Sequence, residues 1–283
     1  MDTKLDYTYG DTILKVENVS LIVDNNDGKG QKVLIQDISF EEKDVIREGR
    51  FQGQMIAIVG DSGRGKSTLF KVLSGLVPPT TGSIMIPDLK NGGGKIVKEG
   101  DMGLVDQKYT LFRDMTLFQQ LMFAAAKGNV LKSERKDLVN MYLNNWHLSE
   151  AAHNHINDCS GGQKQRTAVI MQILRGNRFI IMDEPFSGLS IRGIQNTKEM
   201  MELTMAADEL NTIIFSTHDL ELAVELADQI YVIGYPRDEQ GDLIRIGTIV
   251  SQYNLKELGL AWQPFGQGHL DLVKQISSDI INS

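Results

Sequence analysis

The sequence predicts a mixed α/β fold built on a mainly parallel sheet, and three observations carry that reading. Apolar runs of strand length, among them 55–59, 179–182 and 230–233, alternate with longer segments of helical period. The glycine-rich stretch Gly60-Asp61-Ser62-Gly63-Arg64-Gly65-Lys66-Ser67-Thr68 lies between one of those runs and a helix pattern. The acidic pair Asp183-Glu184 closes another run, which places Asp183 at a strand end, on the ligand edge of such a sheet. Strands alternating with helices imply helices on both faces of the sheet.

Taken in order, residues 1–12 are polar and are expected to be loosely ordered. Ile13–Val23 and Gln31–Phe40 alternate as strands do, around the turn-rich segment Asp24–Gly30. They predict an antiparallel hairpin, and with it an N-terminal antiparallel β subdomain. Glu41–Gln52 is charged and reads as an exposed excursion. Met55–Val59 suits a buried parallel strand, and Leu69–Ser74 a helix closed by Gly75, with Pro78 and Pro79 beyond. Thr81–Ile86 is a short strand, Asn91–Gly94 a flexible loop, and Met102–Asp106 a strand ending at Gln107.

From Thr116 to His147 the texture changes. Leu117, Leu121, Met122 and Ala125, then Leu138, Met141, Tyr142 and Leu143, recur at helical spacing, as in a small helical subdomain inserted between strands. A helix follows Cys159–Arg166 and runs to about Arg175. Phe179–Met182 is a buried strand, Ile191–Leu210 a long helix, and Thr212–Ser216 a strand leading to His218. Leu220–Ala227 is a helix and Ile230–Ile233 a strand. A final amphipathic helix covers Leu270–Ile280. The organisation expected is one domain over 1–250, with the helical subdomain at 111–162, and a helical tail over 251–283.

Hydrophobic residues make up 41% of the chain and charged ones 23%, as in ordinary globular proteins. The net charge is −8, with Lys and Arg scattered singly, which argues against a nucleic-acid surface. No apolar run approaches the ~20 residues that span a bilayer. Met1–Asp6 lacks the apolar core of a signal peptide. The single cysteine, Cys159, excludes an intrachain disulfide and fits a reducing compartment. The expectation is a cytosolic protein with no nucleic-acid partner.

Gly60–Thr68 fits G-x-x-x-x-G-K-[ST], a loop that cradles phosphates. Its three glycines let backbone N–H groups close on an oligophosphate at the positive end of the following helix. Lys66 adds a point charge for the β- and γ-phosphates, and the Ser67 hydroxyl can ligate Mg²⁺. Asp183 can hold Mg²⁺ through water, while Glu184 can orient and deprotonate a water for in-line attack. Asp-Glu-Pro would also suit a plain loop opening. The catalytic reading is preferred because a phosphate loop precedes it.

Gly60–Thr68, Gln107, Ser160-Gly161-Gly162-Gln163, Asp183-Glu184 and His218 stand in the motif order of the ATP-binding cassette (ABC) ATPases. The resemblance spans roughly residues 13–250. It implies a RecA-like P-loop core and two cassettes closing head to tail around two ATP molecules with Mg²⁺. The signature Ser160–Gln163 of one cassette would then face the phosphate loop of the other. It implies that Gln107 senses Mg²⁺ and the attacking water, and that His218 reaches the γ-phosphate. Serine and two glycines opening a helix also leave free N–H groups at its positive end, a second anion site.

Three departures from the family pattern stand out. An aromatic that stacks on adenine is common near the end of the first hairpin strand, but here the position is close to Val23 and 11–39 holds no aromatic residue. Tyr7, Tyr9 and Phe51 are substitutes to consider. Ser190 stands where the loop after Glu184 usually ends in Asp. Cys159 replaces the usual Leu before Ser-Gly-Gly.

The leading expectation is the ATPase subunit of a membrane transporter. It would pair with a second ABC subunit, identical or paralogous, and with an integral membrane permease, peripheral on the inner face of the cell membrane. Tyr109, Leu111, Phe112, Leu117 and Phe118 would line the groove that grips the permease, unless they are simply helical-subdomain core. The alternatives are a soluble single-cassette ATPase of iron–sulfur assembly or cell-division type, and an ATP-gated clamp with little turnover. The long coiled-coil interruption of DNA-repair members and the second cassette of translation-factor members are both missing from this sequence.

Overall fold

The computed structural model describes residues 7–25, 30–47, 53–88 and 91–283. Two long strands, β1 (Tyr7–Asp24) and β2 (Gln31–Arg47), pair antiparallel from Tyr7↔Arg47 to Asp24↔Gln31. That register corrects two expectations. Tyr7–Thr12 is strand rather than loose chain, and Glu41–Arg47 continues β2 instead of forming an exposed excursion. Glu42, Val45 and Arg47 are buried. The charges misled because two of them, Glu42 and Arg47, turn inward and find partners there. The Tyr231 hydroxyl donates to Glu42 Oε1 at 2.7 Å, and the Arg47 guanidinium stacks 3.8 Å over the Trp262 ring. The rest of that segment, 48–52 with Phe51, lies outside the described residues.

The chain then runs through β3 (Gln54–Val59), α1 (Lys66–Leu73), β4 (Thr81–Pro87), β5 (Gly94–Ile96) and β6 (Gly103–Val105). Helices α2 (Leu117–Lys127), α3 (Arg135–Asn145) and α4 (Gly161–Leu174) follow, with two short 3-10 turns between the last two. Next come β7 (Phe179–Met182), α5 (Ile191–Ala207), β8 (Thr212–Thr217), α6 (Leu220–Leu226), β9 (Gln229–Gly234), β10 (Thr248–Asn254) and α7 (Gln267–Asn282).

Among the described residues the strands form two sheets. One is antiparallel, in the order β2-β1-β4-β5. The other runs β10-β9-β3-β8-β7-β6 and is parallel except for β10. Side-chain alternation along β3 divides the core in two. Met55, Ala57 and Val59 face a cluster that includes Leu121, Val169, Ile170, Val224 and Ile276 from the helices. Ile56 and Ile58 face a second cluster with Leu14, Val16, Ile35 and Ile38 of the antiparallel sheet and Leu69 and Phe70 of α1.

Helices on both faces were expected. In fact one face is covered by α1 together with the antiparallel sheet. The strand runs could not reveal this, because a strand buried on both faces reads as continuously apolar whatever covers it. The expected boundary at residue 250 falls inside β10, which pairs with β9 from Thr248↔Gly234 to Asn254↔Gln229. Helix α7 then buries Leu272 and Ile276 in the helical-side core.

Candidate active site

The phosphate loop joins β3 to α1 at the carboxyl edge of the parallel sheet. Its glycines are required by close approach as much as by the turn. A Cβ on Gly60, at φ +142°, would lie 2.2 Å from the Ile233 carbonyl oxygen, and one on Gly65, at φ +106°, 2.9 Å from Ile35. Lys66 is the first residue of α1 and is buried. Its Nζ donates to the carbonyls of Gly60 at 2.6 Å and Asp61 at 3.1 Å, and lies 3.9 Å from Glu184 Oε1. Burial pulls the ammonium below its ordinary range, and the charges of Glu184, Asp183 and Asp61 oppose that shift.

Parallel pairing brings three strand ends to this loop. Val59 pairs with Thr217 of β8 and Val232 of β9, and Met182 of β7 pairs with Phe215. Asp183 and Glu184 follow Met182, and His218 follows Thr217. His218 Nδ1 lies 2.9 Å from Glu184 Oε2. Ser62, Gly63, Gly65, Lys66, Ser67, Thr68, Gln107, Asp183, Glu184, Ser187 and His218 line one open cleft of about 450 Å³. The catalytic and metal residues read from the sequence therefore meet in one place. Asp61 and Arg64 flank the cleft, with Arg64 Nη2 3.6 Å from Asp61 Oδ2.

Oxygen donors of Ser67, Asp183 and Gln107 share the cleft, a hard set that fits Mg²⁺. Among the described residues no group of three His, Cys, Asp or Glu side chains gathers. The donor set thus suits a cation that arrives on phosphates and takes only one or two protein carboxylates.

The signature residues sit elsewhere. Ser160 caps α4: its Oγ accepts from the Gln163 N–H at 3.3 Å, while Gln163 Oε1 accepts from the Ser160 N–H at 2.9 Å. This capping box narrows the expected anion site, because it occupies two of the amides and leaves those of Gly161 and Gly162 at the open helix end. Ser160, Gly161 and Gly162 line a separate cavity of about 340 Å³ with Arg166, Arg192 and the loop Gly188–Ser190. The two cavities share no lining residue. Ser190 caps α5 through the Gly193 N–H at 3.2 Å, a role that serine fills as well as aspartate does. Cys159 is buried in the core, where desolvation raises its thiol above the usual range.

Among the described residues no aromatic side chain lines the phosphate cleft. Tyr7 and Tyr9 do not stand in for one. Their rings pack 5.5 Å apart, Tyr7 packs 5.9 Å from Trp262, and the Tyr9 hydroxyl bonds Asn254 and Glu257. They occupy the far end of β1 from Leu21, whose partner Ile35 touches Gly65. Sequence reasoning passed over Tyr235, whose hydroxyl donates to the Gly63 carbonyl at 3.2 Å while the Arg64 guanidinium stacks 4.0 Å over its ring. It also passed over Ser216, fully buried on β8, although a serine directly after Ile213-Ile214-Phe215 was a visible signal.

A glycine loop at a helix start, with a lysine, a strand-end carboxylate pair and a histidine converging on it, defines a nucleotide-binding P-loop protein. The comparisons narrow the class. The family described as "ABC transporter" matches residues 49–187. The sulfate/thiosulfate import ATP-binding protein CysA of Mesostigma viride is 32% identical over 223 residues, 78% of this chain and 61% of that one. CysA 1 of Agrobacterium fabrum is 32% identical over 71% of this chain and 58% of its own length. The chain thus spans about three fifths of these relatives. The solved structure of cbiO1 from Clostridium perfringens, described as part of the ABC transporter complex cbiONQ, superposes with a TM-score of 0.66. It is 25% identical, covering 88% of this chain and 91% of that one. Residues 49–187 thus match the ATP-binding cassette family of ABC transporters.

Proposed function

We propose that this chain hydrolyses ATP and drives a membrane permease as the nucleotide-binding subunit of a transporter. The observation that carries the hydrolytic part is the position of the Glu184 carboxylate, in one cleft between Lys66 and His218 and next to Asp183. Lys66 and the loop amides bind and orient the β- and γ-phosphates. Bound Mg²⁺, held by Ser67, Asp183 and Gln107, would neutralise charge on those phosphates. Glu184 accepts the proton of the attacking water, and His218 orients that carboxylate or turns to the γ-phosphate.

Two separate half-sites on one chain favour a head-to-tail dimer, with Gly161 and Gly162 of one protomer facing the phosphate loop of its partner. Among the described residues no helix is long and apolar enough to cross a membrane. Transport therefore calls for a separate permease, and the chain would sit peripherally against it. The exposed Phe112 ring, packed edge to face on Phe123 at 5.2 Å, belongs to the surface that would meet that partner, whereas Leu117 is fully buried core. The transporter relatives favour this reading over the soluble-assembly alternative.

Phosphate release from ATP·Mg²⁺ tests the hydrolytic part, and recovery of the tagged chain from detergent-solubilised membranes tests the coupling. A multispanning membrane protein should co-purify. Recovery only in a soluble complex with iron–sulfur proteins would overturn the transport reading, and nucleotide binding without phosphate release would leave the clamp.

A further inference from the structure

We infer that Ser216 is a positioning residue that ties the metal-binding and water-activating carboxylates into one rigid unit, an inference that rests on the hydrolytic reading above. Ser216 is the fifth residue of β8 and has no exposed surface. Its hydroxyl donates to Asp183 Oδ1 at 2.7 Å and accepts from the Glu184 N–H at 2.8 Å. One O–H thus spends its single proton on the side chain of one acid and a lone pair on the backbone of the next.

The second bond acts where the backbone is under strain. Glu184 has φ +50°, the left-handed region that a non-glycine residue enters only when its surroundings hold it there. That conformation turns the chain between Asp183 and Pro185, so that Asp183 and Glu184 both line the cleft. Two further bonds hold this corner: the Asp183 N–H donates to the Val105 carbonyl at 3.1 Å, and the Ser187 N–H to the Glu184 carbonyl at 3.1 Å. Neither restrains the Glu184 amide or the Asp183 carboxylate. Among the described residues only Ser216 joins those two groups, from a neighbouring strand whose register is set by Met182↔Phe215.

Removing the hydroxyl leaves a buried amide without its acceptor and a charged carboxylate without its donor. The Glu184 carboxylate is then no longer held between Lys66 and His218, and Asp183 is no longer aimed at the metal position. Phosphate binding by the loop needs neither, so it should be untouched. A merely structural serine would change stability and leave the metal requirement alone.

The test compares the wild-type chain with Ser216→Ala and with the nearly isosteric Ser216→Cys, which keeps a weak donor. Four quantities are read: kcat and KM for ATP, the Mg²⁺ concentration for half-maximal activity, Mn²⁺ binding by electron paramagnetic resonance, and hydrogen exchange at the Glu184 amide. For Ser216→Ala we expect kcat to fall about tenfold with KM within about twofold, and the Mg²⁺ and Mn²⁺ requirement to rise severalfold. The Glu184 amide should exchange faster, and Ser216→Cys should fall between the two. If the alanine variant does not fold, the cysteine variant carries the same readouts. A wild-type chain that turns over, with variants matching it in kcat, metal requirement and amide exchange, overturns the assignment. If the wild-type chain releases no phosphate, the hydrolytic reading fails instead, and unchanged Mn²⁺ binding and amide exchange in the variants would then reject the Ser216 clasp on their own.

Discussion

His218 Nδ1 and Glu184 Oε2 lie 2.9 Å apart, and the other carboxylate oxygen of Glu184 faces Lys66 Nζ at 3.9 Å. The carboxylate is held between an imidazole and a buried ammonium, with its backbone in the left-handed region. Such an arrangement suits a proton acceptor poised beside a phosphate, and it is more than a loop opening requires.

Replacing Glu184 with Gln keeps the size and one acceptor oxygen but removes the negative charge that can take up a proton. ATP binding should survive or tighten slightly, since one anion near the γ-phosphate is lost. Turnover should fall by at least the ~10²-fold associated with a general base. Phosphate release and particle mass, measured side by side, should show a slow enzyme trapped as an ATP-bound dimer. Hydrolysis at the wild-type rate would return Asp183-Glu184-Pro185 to a plain turn.

Lys66→Ala removes the cation that bridges the loop carbonyls and faces Glu184. Affinity for ATP·Mg²⁺ should drop about 100-fold or more, roughly 2.7 kcal/mol, as expected for loss of a charge-assisted contact in a partly desolvated site. An equilibrium titration that gives the wild-type constant would contradict this.

Ser160→Arg places bulk and charge at the exposed mouth of the signature cavity. It should abolish ATP-driven dimerisation, read by light scattering, while leaving monomer ATP affinity intact. Loss of the cap itself costs only about 1 kcal/mol of helix stability, and Ser160→Ala isolates that cost. A dimer that forms equally with and without nucleotide would count against head-to-tail closure.

The buried acids under β1 and β2 predict a pH dependence separate from the active site. Desolvation raises Glu42 to about 7, while the Tyr231 hydrogen bond and the Lys256 charge pull it down and the charge of Asp228 adds to the rise. Asp228, wholly enclosed, is raised for the same reason. A carboxyl raised by folding stabilises the protein most when protonated, so stability should fall as pH climbs from the ordinary carboxylate range through about 7. The loss attributable to Glu42 is on the order of 3 kcal/mol. Glu42→Gln, a permanent stand-in for the protonated form, should flatten the melting-temperature profile between pH 5 and pH 8. An unchanged slope in that variant would show that Glu42 does not carry the effect.

The sequence by itself determined the motifs that bear on chemistry and the mainly parallel character of the sheet. Gly60–Thr68 and Asp183-Glu184 are legible because each depends on local requirements, glycine where the backbone must close on phosphate and a polar residue at the end of an apolar run. His218, by contrast, is legible only through the family resemblance. The capping box at Ser160 is also local, two residues three positions apart bonded to each other. Only the tertiary structure decided that an antiparallel sheet joins helix α1 in covering one face of the parallel sheet. The same holds for the charges of Glu41–Arg47, which look exposed but are partly buried. It holds too for Tyr7, which packs on Trp262, and Tyr9, which packs on Tyr7 and bonds Asn254 and Glu257, instead of serving a base. Each of these depends on pairing between residues far apart in sequence. A charged residue reads as solvent-facing until the partner that satisfies it, Tyr231 for Glu42 across 189 positions, is brought beside it. Ser216 is the sharpest case. Its position on a strand was visible, but its tie to the Asp183 carboxylate and the Glu184 amide, 33 and 32 residues earlier, exists only because β7 and β8 pair in register.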